Sequence, residues 1–266
     1  MSVSDIIAID AHAHDGTYDR GSPGLASQFM TASASEVVAP AARFQIGITI
    51  ASPLQAILPR GKGDPVAGND HAAQAALDHP GLLQYVVIDP RIPETYLQAE
   101  RMLALPTCAG IKIHPEEHIY PVAEHGRAIF EFAARFGAVI LSHTSEKNSL
   151  CADLVPFAND FPEVRLIMAH IGHGWDGDYG HQVRGIQASR HGNVFADTSS
   201  ARSITPNLIE WAVREAGADR VLFGSDTPLY HCGVQRSRID HADLSDADKR
   251  LILRDNALRV FGAKLA

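Results

Sequence analysis

Eight short apolar runs, separated by stretches that read as helices, constrain this 266-residue chain more than any other feature. The runs are Ile6–Ile9, Ile46–Ile50, Leu83–Ile88, Gly110–Ile113, Val139–Leu141, Val164–Met168, Val194–Ala196 and Val221–Phe223. They are rich in Val, Ile and Leu without strict alternation, which is how strands covered on both faces read. Helices are expected between them at Asn69–His79, Pro93–Leu105, Pro121–Phe136, Pro206–Ala216 and Ser245–Phe261. Proline at the first turn and glycine just past the end mark several of these, and Ser245 with Asp248 resembles a capping box. Eight strands alternating with helices predict a distorted (β/α)8 TIM barrel, a single domain over residues 1–266. A doubly wound open sheet is the rival, weakened because no GxGxxG or P-loop follows the first strand. Asp15–Gln45 and Ser52–Gly68 are long for βα loops, and in a barrel they would lie over the active face as lids.

Composition narrows the class. The chain is 45% hydrophobic and 20% charged, ordinary for a soluble enzyme. Its net charge of −8 argues against a nucleic-acid partner, which needs a basic surface to neutralise phosphates. Cys108, Cys151 and Cys232 form no CxxC pair, so neither a disulfide scaffold nor a cysteine-based zinc ribbon is expected. No apolar stretch approaches the roughly 20 residues that span a membrane, and the first residues lack the pattern of a secretory leader. A cytoplasmic protein with reduced thiols and no membrane partner is the expectation. Oligomeric state leaves no pattern, and a homo-oligomer stays open.

The first run leads into Asp10-Ala11-His12-Ala13-His14. Residues i and i+2 of a strand share a face, so both imidazoles reach one point. His143, His170 and Asp226 also stand just past apolar runs. A barrel carries all these strand ends to one rim, its catalytic face. Imidazoles with a carboxylate suit one divalent cation, zinc first, with manganese or iron also fitting. A catalytic site of this kind keeps a position for water and lowers its pKa towards about 7.

At this point the sequence resembles the amidohydrolase superfamily, and within it the small amidohydrolase-2 group of barrel hydrolases and decarboxylases. The matching motifs are Asp10–His14, Gly110-Ile-Lys-Ile-His-Pro115, Leu141-Ser-His-Thr144, Ala169-His-Ile-Gly172, Val221-Leu-Phe-Gly-Ser-Asp-Thr-Pro228 and Asn256-Ala-Leu-Arg-Val-Phe-Gly262. The resemblance implies one divalent metal held by His12, His14, His143 and Asp226. It places His170 on or near the reacting water and gives Asp226 a second role as proton acceptor. Some members carboxylate a lysine at the end of strand four to bridge two metals. The Gly-x-Lys-x-His-Pro motif usually accompanies one metal, so Lys112 is read as an interior cation that pairs with Asp226 or contacts substrate. His114 lies over the rim or caps a loop. His173 stands where relatives often have glycine, as a donor behind the ligands, a substrate contact or a surface residue.

Arg20, Arg60, Lys62, Arg202, Arg236 and Arg238 sit on segments after strands in an otherwise acidic protein. As a set they favour a small carboxylated substrate, since guanidinium binds carboxylate in a bidentate manner. Arg202 and Arg236, after strands seven and eight, are the first choices, with Tyr230 and His231 as further lining. Asp197-Thr198-Ser199-Ser200 supplies polar contacts or closes its loop. The expected activity is hydrolysis of a lactone, ester or amide. Non-oxidative decarboxylation is the alternative, and a catalytically silent ligand-binding barrel a third reading, which the full ligand set argues against.

Overall fold

The computed structural model describes residues 3–22 and 24–265. The apolar runs become β1 (Ala8–Asp15), β2 (Ile46–Pro53), β3 (Leu82–Val87), β4 (Cys108–Ile113), β5 (Val139–Ser142), β6 (Arg165–Met168), β7 (Val194–Asp197) and β8 (Val221–Leu222). All pair in parallel, each with the next in sequence. The ring closes where the Ala11 N–H donates to the Phe223 carbonyl at 2.9 Å and the His14 N–H to the Thr227 carbonyl at 2.7 Å. The TIM barrel read from the sequence is the fold observed. No described helix is long and apolar enough to cross a membrane.

Ile9, Ile50, Tyr85, Val139, Leu141, Ile167, Phe195 and Leu222 fill the barrel interior, and the Tyr85 hydroxyl donates to the Ala11 carbonyl at 2.7 Å. That bond satisfies the one polar atom of a ring buried among hydrocarbon. A larger apolar layer, including Ile111, Ile113, Phe130, Leu154, Leu166 and Phe223, lies between strands and helices. The shared interior is why the strand ends reach one rim at fixed spacing.

β1 runs further than expected and carries its histidines inside the strand. Its pairing with β2 slips between Asp10 and Ala13, where the partners are Thr49 and Ala51. Ile9 and Ala11 face the barrel interior, whereas Ala13 packs outward against Ala34, Ala51 and Ala75. The bulge shifts the inward set by one residue, so His12 and His14 turn to the rim's centre. Bulges beside active sites commonly re-aim side chains in this way.

The long segment 15–45 holds a real crossover helix, Ala34–Arg43, rather than a bare lid. Ser33 and Glu36 form its capping box, and Pro40 inside it disguised the pattern. Helix Cys151–Asp160 is likewise hidden by Pro156, and helix His181–Gln187 is short. The expected helix Ser245–Phe261 is Asp246–Arg250 and Asn256–Phe261 joined by a π-helical stretch, Leu251–Asp255. The Ile252 carbonyl, in that widened stretch, accepts the Phe223 N–H at 2.9 Å, tying the last helix to the end of β8.

Candidate metal centre and catalytic pocket

Each histidine at the rim has one nitrogen engaged behind it, and that fixes what the other nitrogen offers. Nδ1 of His12 lies 2.9 Å from Asp197 Oδ2. A carboxylate oxygen accepts, so Nδ1 carries the proton and the Nε2 lone pair faces the pocket. Nδ1 of His14 lies 3.0 Å from the Ser52 carbonyl, which also only accepts, so in the neutral ring the lone pair is on Nε2. Both lone pairs face Asp226 Oδ1, at 3.5 Å from His12 and 3.1 Å from His14. The three donor atoms lie within 4.8 Å of one another. Two imidazole nitrogens and a carboxylate oxygen crowded together in this way make a donor set that fits a divalent cation. Burial and the nearby Lys112 ammonium hold the His12 imidazolium well below the usual histidine range, which keeps the ring a neutral ligand.

Lys112 supplies one positive charge itself. Its Nζ is 2.9 Å from His12 Nε2, deep in the barrel mouth. Burial pulls the amine down to about 8, while Asp226 and Asp197 favour the charged form. The sequence pairs it with Asp226 or substrate; in the structure its hydrogen bond is to His12.

His170 and Asp226 both have left-handed backbones, with φ of 73° and 57°. Non-glycine residues are uncommon there, and such strain concentrates at functional sites. The turn at His170 has a clear effect: Ile171 packs outward, while the imidazole faces the pocket. The His170 N–H donates to Asp197 Oδ1 at 2.9 Å, and its Nδ1 lies 2.8 Å from Ser199 Oγ. Burial among His12 and His143 lowers the His170 pKa well below the usual value. Gly224 lets these elements approach: a Cβ there would lie 3.0 Å from the His12 Cβ and 3.2 Å from the Asp197 Cγ.

His143 stands across from this group. Its Nδ1 is 3.1 Å from His170 Nε2, and its Nε2 is 3.1 Å from Glu146 Oε1. The tightest set around it is therefore His143, Glu146 and His173, separate from His12, His14 and Asp226. His173 reaches the same Glu146 oxygen at 3.2 Å. These hydrogen bonds pull the Glu146 carboxyl well below the usual range. His114 caps the short helix Pro115–His118 through the Glu117 N–H and stacks on His143 with ring centroids 4.2 Å apart.

Most of these groups line one cavity of about 210 Å³ at the carboxyl ends of the strands. His14, Lys112, His114, His143, His170 and Asp226 line it together with Leu54, Ile57, Leu58 and Leu229. Tyr230 lines it, as the sequence suggested, and Tyr18, Arg20, Glu117 and Glu146 join it. Arg202 and Arg236 do not. Arg202 bonds the Gly172 and Gly174 carbonyls and stacks on Tyr179. Arg236 lies at the opposite end of the barrel, where it pairs with Asp240 and binds the Ile6 and Gln45 carbonyls that precede β1 and β2. Its helix follows β8 but returns towards the amino ends of the strands, so position in sequence misplaced it.

Two carboxylates were missed as parts of the site. The sequence reads Asp197 as a polar contact or as loop closure, not as the support of a histidine, although it ends β7 at the level where the other strands carry histidines. Glu146 follows His143 by three residues, which was its signal.

The sequence profile of the amidohydrolase family (Amidohydro_2) matches residues 9–263. The chain belongs to that family. No curated protein sequence matches it. Among solved structures, it is similar to 2,6-dihydroxybenzoate decarboxylase from Rhizobium at a TM-score of 0.74 and 14% identity, over 95% of this chain and 98% of that one. It is similar to 5-carboxyvanillate decarboxylase from Novosphingobium aromaticivorans, complexed with manganese and 4-hydroxy-3-methoxy-5-nitrobenzoic acid, at 0.73 and 15%, over 97% and 96%. A dihydroxybenzoic acid decarboxylase from a Polaromonas species, with bound manganese and the inhibitor 2-nitroresorcinol, gives 0.74 and 14%, over 96% of each chain. At these identities the likeness is one of fold. A wider groove of about 570 Å³ between helices Cys151–Asp160 and His181–Gln187 lies outside this amidohydrolase barrel and holds none of the rim histidines.

Proposed function

We propose that this amidohydrolase is a divalent-cation-dependent hydrolase acting on a small carboxylated lactone, ester or amide. The observation that carries the reading is the cluster of His12 Nε2, His14 Nε2 and Asp226 Oδ1 at the carboxyl ends of the strands, beside the Lys112 ammonium. His12, His14 and Asp226 would hold the cation, with His143 as the fourth ligand through Nδ1. Zinc suits the imidazoles, and the manganese in the fold relatives makes that ion an equal candidate. When bound, the cation acts as a Lewis acid that polarises the oxygen atoms of water and substrate.

The residues of the chain supply the rest. Lys112 and Arg20, which line the cavity, attract and orient a carboxylate. The small volume and the leucine and isoleucine side chains suit a single ring or a short acyl group. Asp226, with one oxygen among the ligands, takes the proton that water loses as its oxygen bonds the carbonyl carbon. As the carbon–oxygen or carbon–nitrogen bond breaks, that proton passes to the leaving group. His170, kept neutral by burial, hydrogen-bonds the reacting carbonyl side.

A second reading, non-oxidative decarboxylation, is favoured by the activities named for the fold relatives. There the carboxyl carbon–carbon bond breaks, carbon dioxide leaves, and Asp226 delivers the proton to carbon. Isotopes separate the two. The cation-loaded protein is incubated in H₂¹⁸O and D₂O with carboxylated lactones, esters, amides and hydroxybenzoates. Oxygen-18 in the acid product supports hydrolysis. Carbon dioxide release with deuterium on carbon replaces it with decarboxylation.

A further inference from the structure

His143 has two nitrogens and two possible uses, and its surroundings select between them. Nε2 points to Glu146 at 3.1 Å, while Nδ1 points into the pocket beside His170. Glu146 Oε1 is held from the other side by His173 Nε2 at 3.2 Å. The loops that carry these two residues, after β5 and β6, are stitched together. The Trp175 N–H donates to the Ser145 carbonyl at 3.0 Å. The fully buried Gln182 amide donates to Ser145 Oγ at 2.9 Å and to the His173 carbonyl at 3.0 Å. Ser145, between His143 and Glu146, itself takes a left-handed turn, φ 67°.

The trio could be a second cation site, since its donor atoms cluster within 4.8 Å. For His143 to serve both that ion and the first, its ring would have to lose both protons, which neutral water opposes strongly. A carboxylate accepting the outer N–H of a ligating histidine requires no such loss, and it is the usual arrangement behind metal-bound imidazole.

We propose that Glu146, clamped by His173 on the cross-bonded loops, is the positioning residue that holds His143 in its Nε2–H tautomer and presents Nδ1 to the cation. This rests on the reading that His143 completes the ligand set. It assigns a task to His173: an acceptor on a loop after β5 is fixed by a donor on the loop after β6.

The test uses the full-length protein first without metal and then titrated with Co²⁺ alone. Nitrogen-15 NMR of the metal-free protein should show His143 protonated at Nε2. Glu146→Ala should give a mixture of tautomers and weaken Co²⁺ binding, measured against a chelator, by roughly 10–100-fold. Glu146→Gln, whose side-chain oxygen still accepts, should keep the tautomer and restore affinity to within a few-fold of wild type. His173→Ala should fall between them. Thermal melting of each metal-free variant shows that the barrel is intact. An unchanged His143 tautomer and unchanged Co²⁺ affinity in Glu146→Ala would overturn the proposal. So would two Co²⁺ per wild-type chain falling to one in that variant, because Glu146 would then be a ligand. If wild type binds no Co²⁺, the tautomer result still decides the role of Glu146, and it is the cation-dependent function that fails.

Discussion

The floor and the mouth of the pocket are built from the same residue types and held in different ways. On the floor, the side chains of His12, His14 and Asp226 are 0–6% exposed, and the two rings are fixed by Asp197 and the Ser52 carbonyl. These supports come from β7 and β2, so the barrel itself sets the geometry. At the mouth, His143, Glu146 and His173 are 12–33% exposed and are held by one another and by loops. A rigid scaffold fixes a site more tightly than loops do, so damage at the floor should be costly and damage at the mouth graded.

The largest expected effect is at the floor. His12→Ala and His14→Ala should each abolish stoichiometric cation binding and turnover together, because one of few ligands is lost and the others are left unpaired. Elemental analysis with a turnover assay measures both. Either variant with full metal and normal rate would dissolve the contrast between floor and mouth.

Asp226→Asn comes next. Asn retains an oxygen for the cation but cannot take up the proton, so turnover should fall by about 10²–10⁴-fold with a smaller change in metal content. Turnover unchanged with metal bound would remove Asp226 from the chemistry. Asp197→Ala should follow at roughly 10–100-fold in cation affinity, because it orients His12 as Glu146 is proposed to orient His143. An Asp197→Ala effect no larger than that of His173→Ala would show that strand support and loop support are equivalent.

The barrel was legible because its signals are strong and local. Eight apolar runs could be read directly, and ligands at their ends follow from the fold. Residues set by irregular backbone were harder. The bulge that turns His12 and His14 inward and the left-handed turn at His170 leave no pattern of periodicity. Helices Ala34–Arg43 and Cys151–Asp160 were hidden by Pro40 and Pro156, although Ser33 and Glu36 announced the first. Asp197 and Glu146 were passed over because a carboxylate behind a histidine is defined by contact across strands or loops. Arg236 was misplaced for a related reason: chain order puts it after a strand, but its helix carries it back down the barrel.

That last failure yields the smallest expected effect on activity. Arg236→Met should leave the Michaelis constant for any carboxylated substrate unchanged within about twofold, since the guanidinium lies at the far end of the barrel. It should nevertheless destabilise the fold by about 2–3 kcal/mol, because Asp240 loses its buried partner and the Val3, Ile6 and Gln45 carbonyls lose a donor. Arg20→Met is the opposite case. Its side chain is 45% exposed but its partner Glu117 is buried, so stability should fall by about 1 kcal/mol, less than in Arg236→Met. The Michaelis constant for a carboxylated substrate should rise roughly tenfold relative to a neutral analogue, the size of one charge-assisted hydrogen bond. Melting curves and Michaelis constants for both variants with paired substrates decide the matter. If Arg236→Met selectively weakens the anionic substrate and Arg20→Met does not, the substrate enters elsewhere and the mouth assigned to this pocket is wrong.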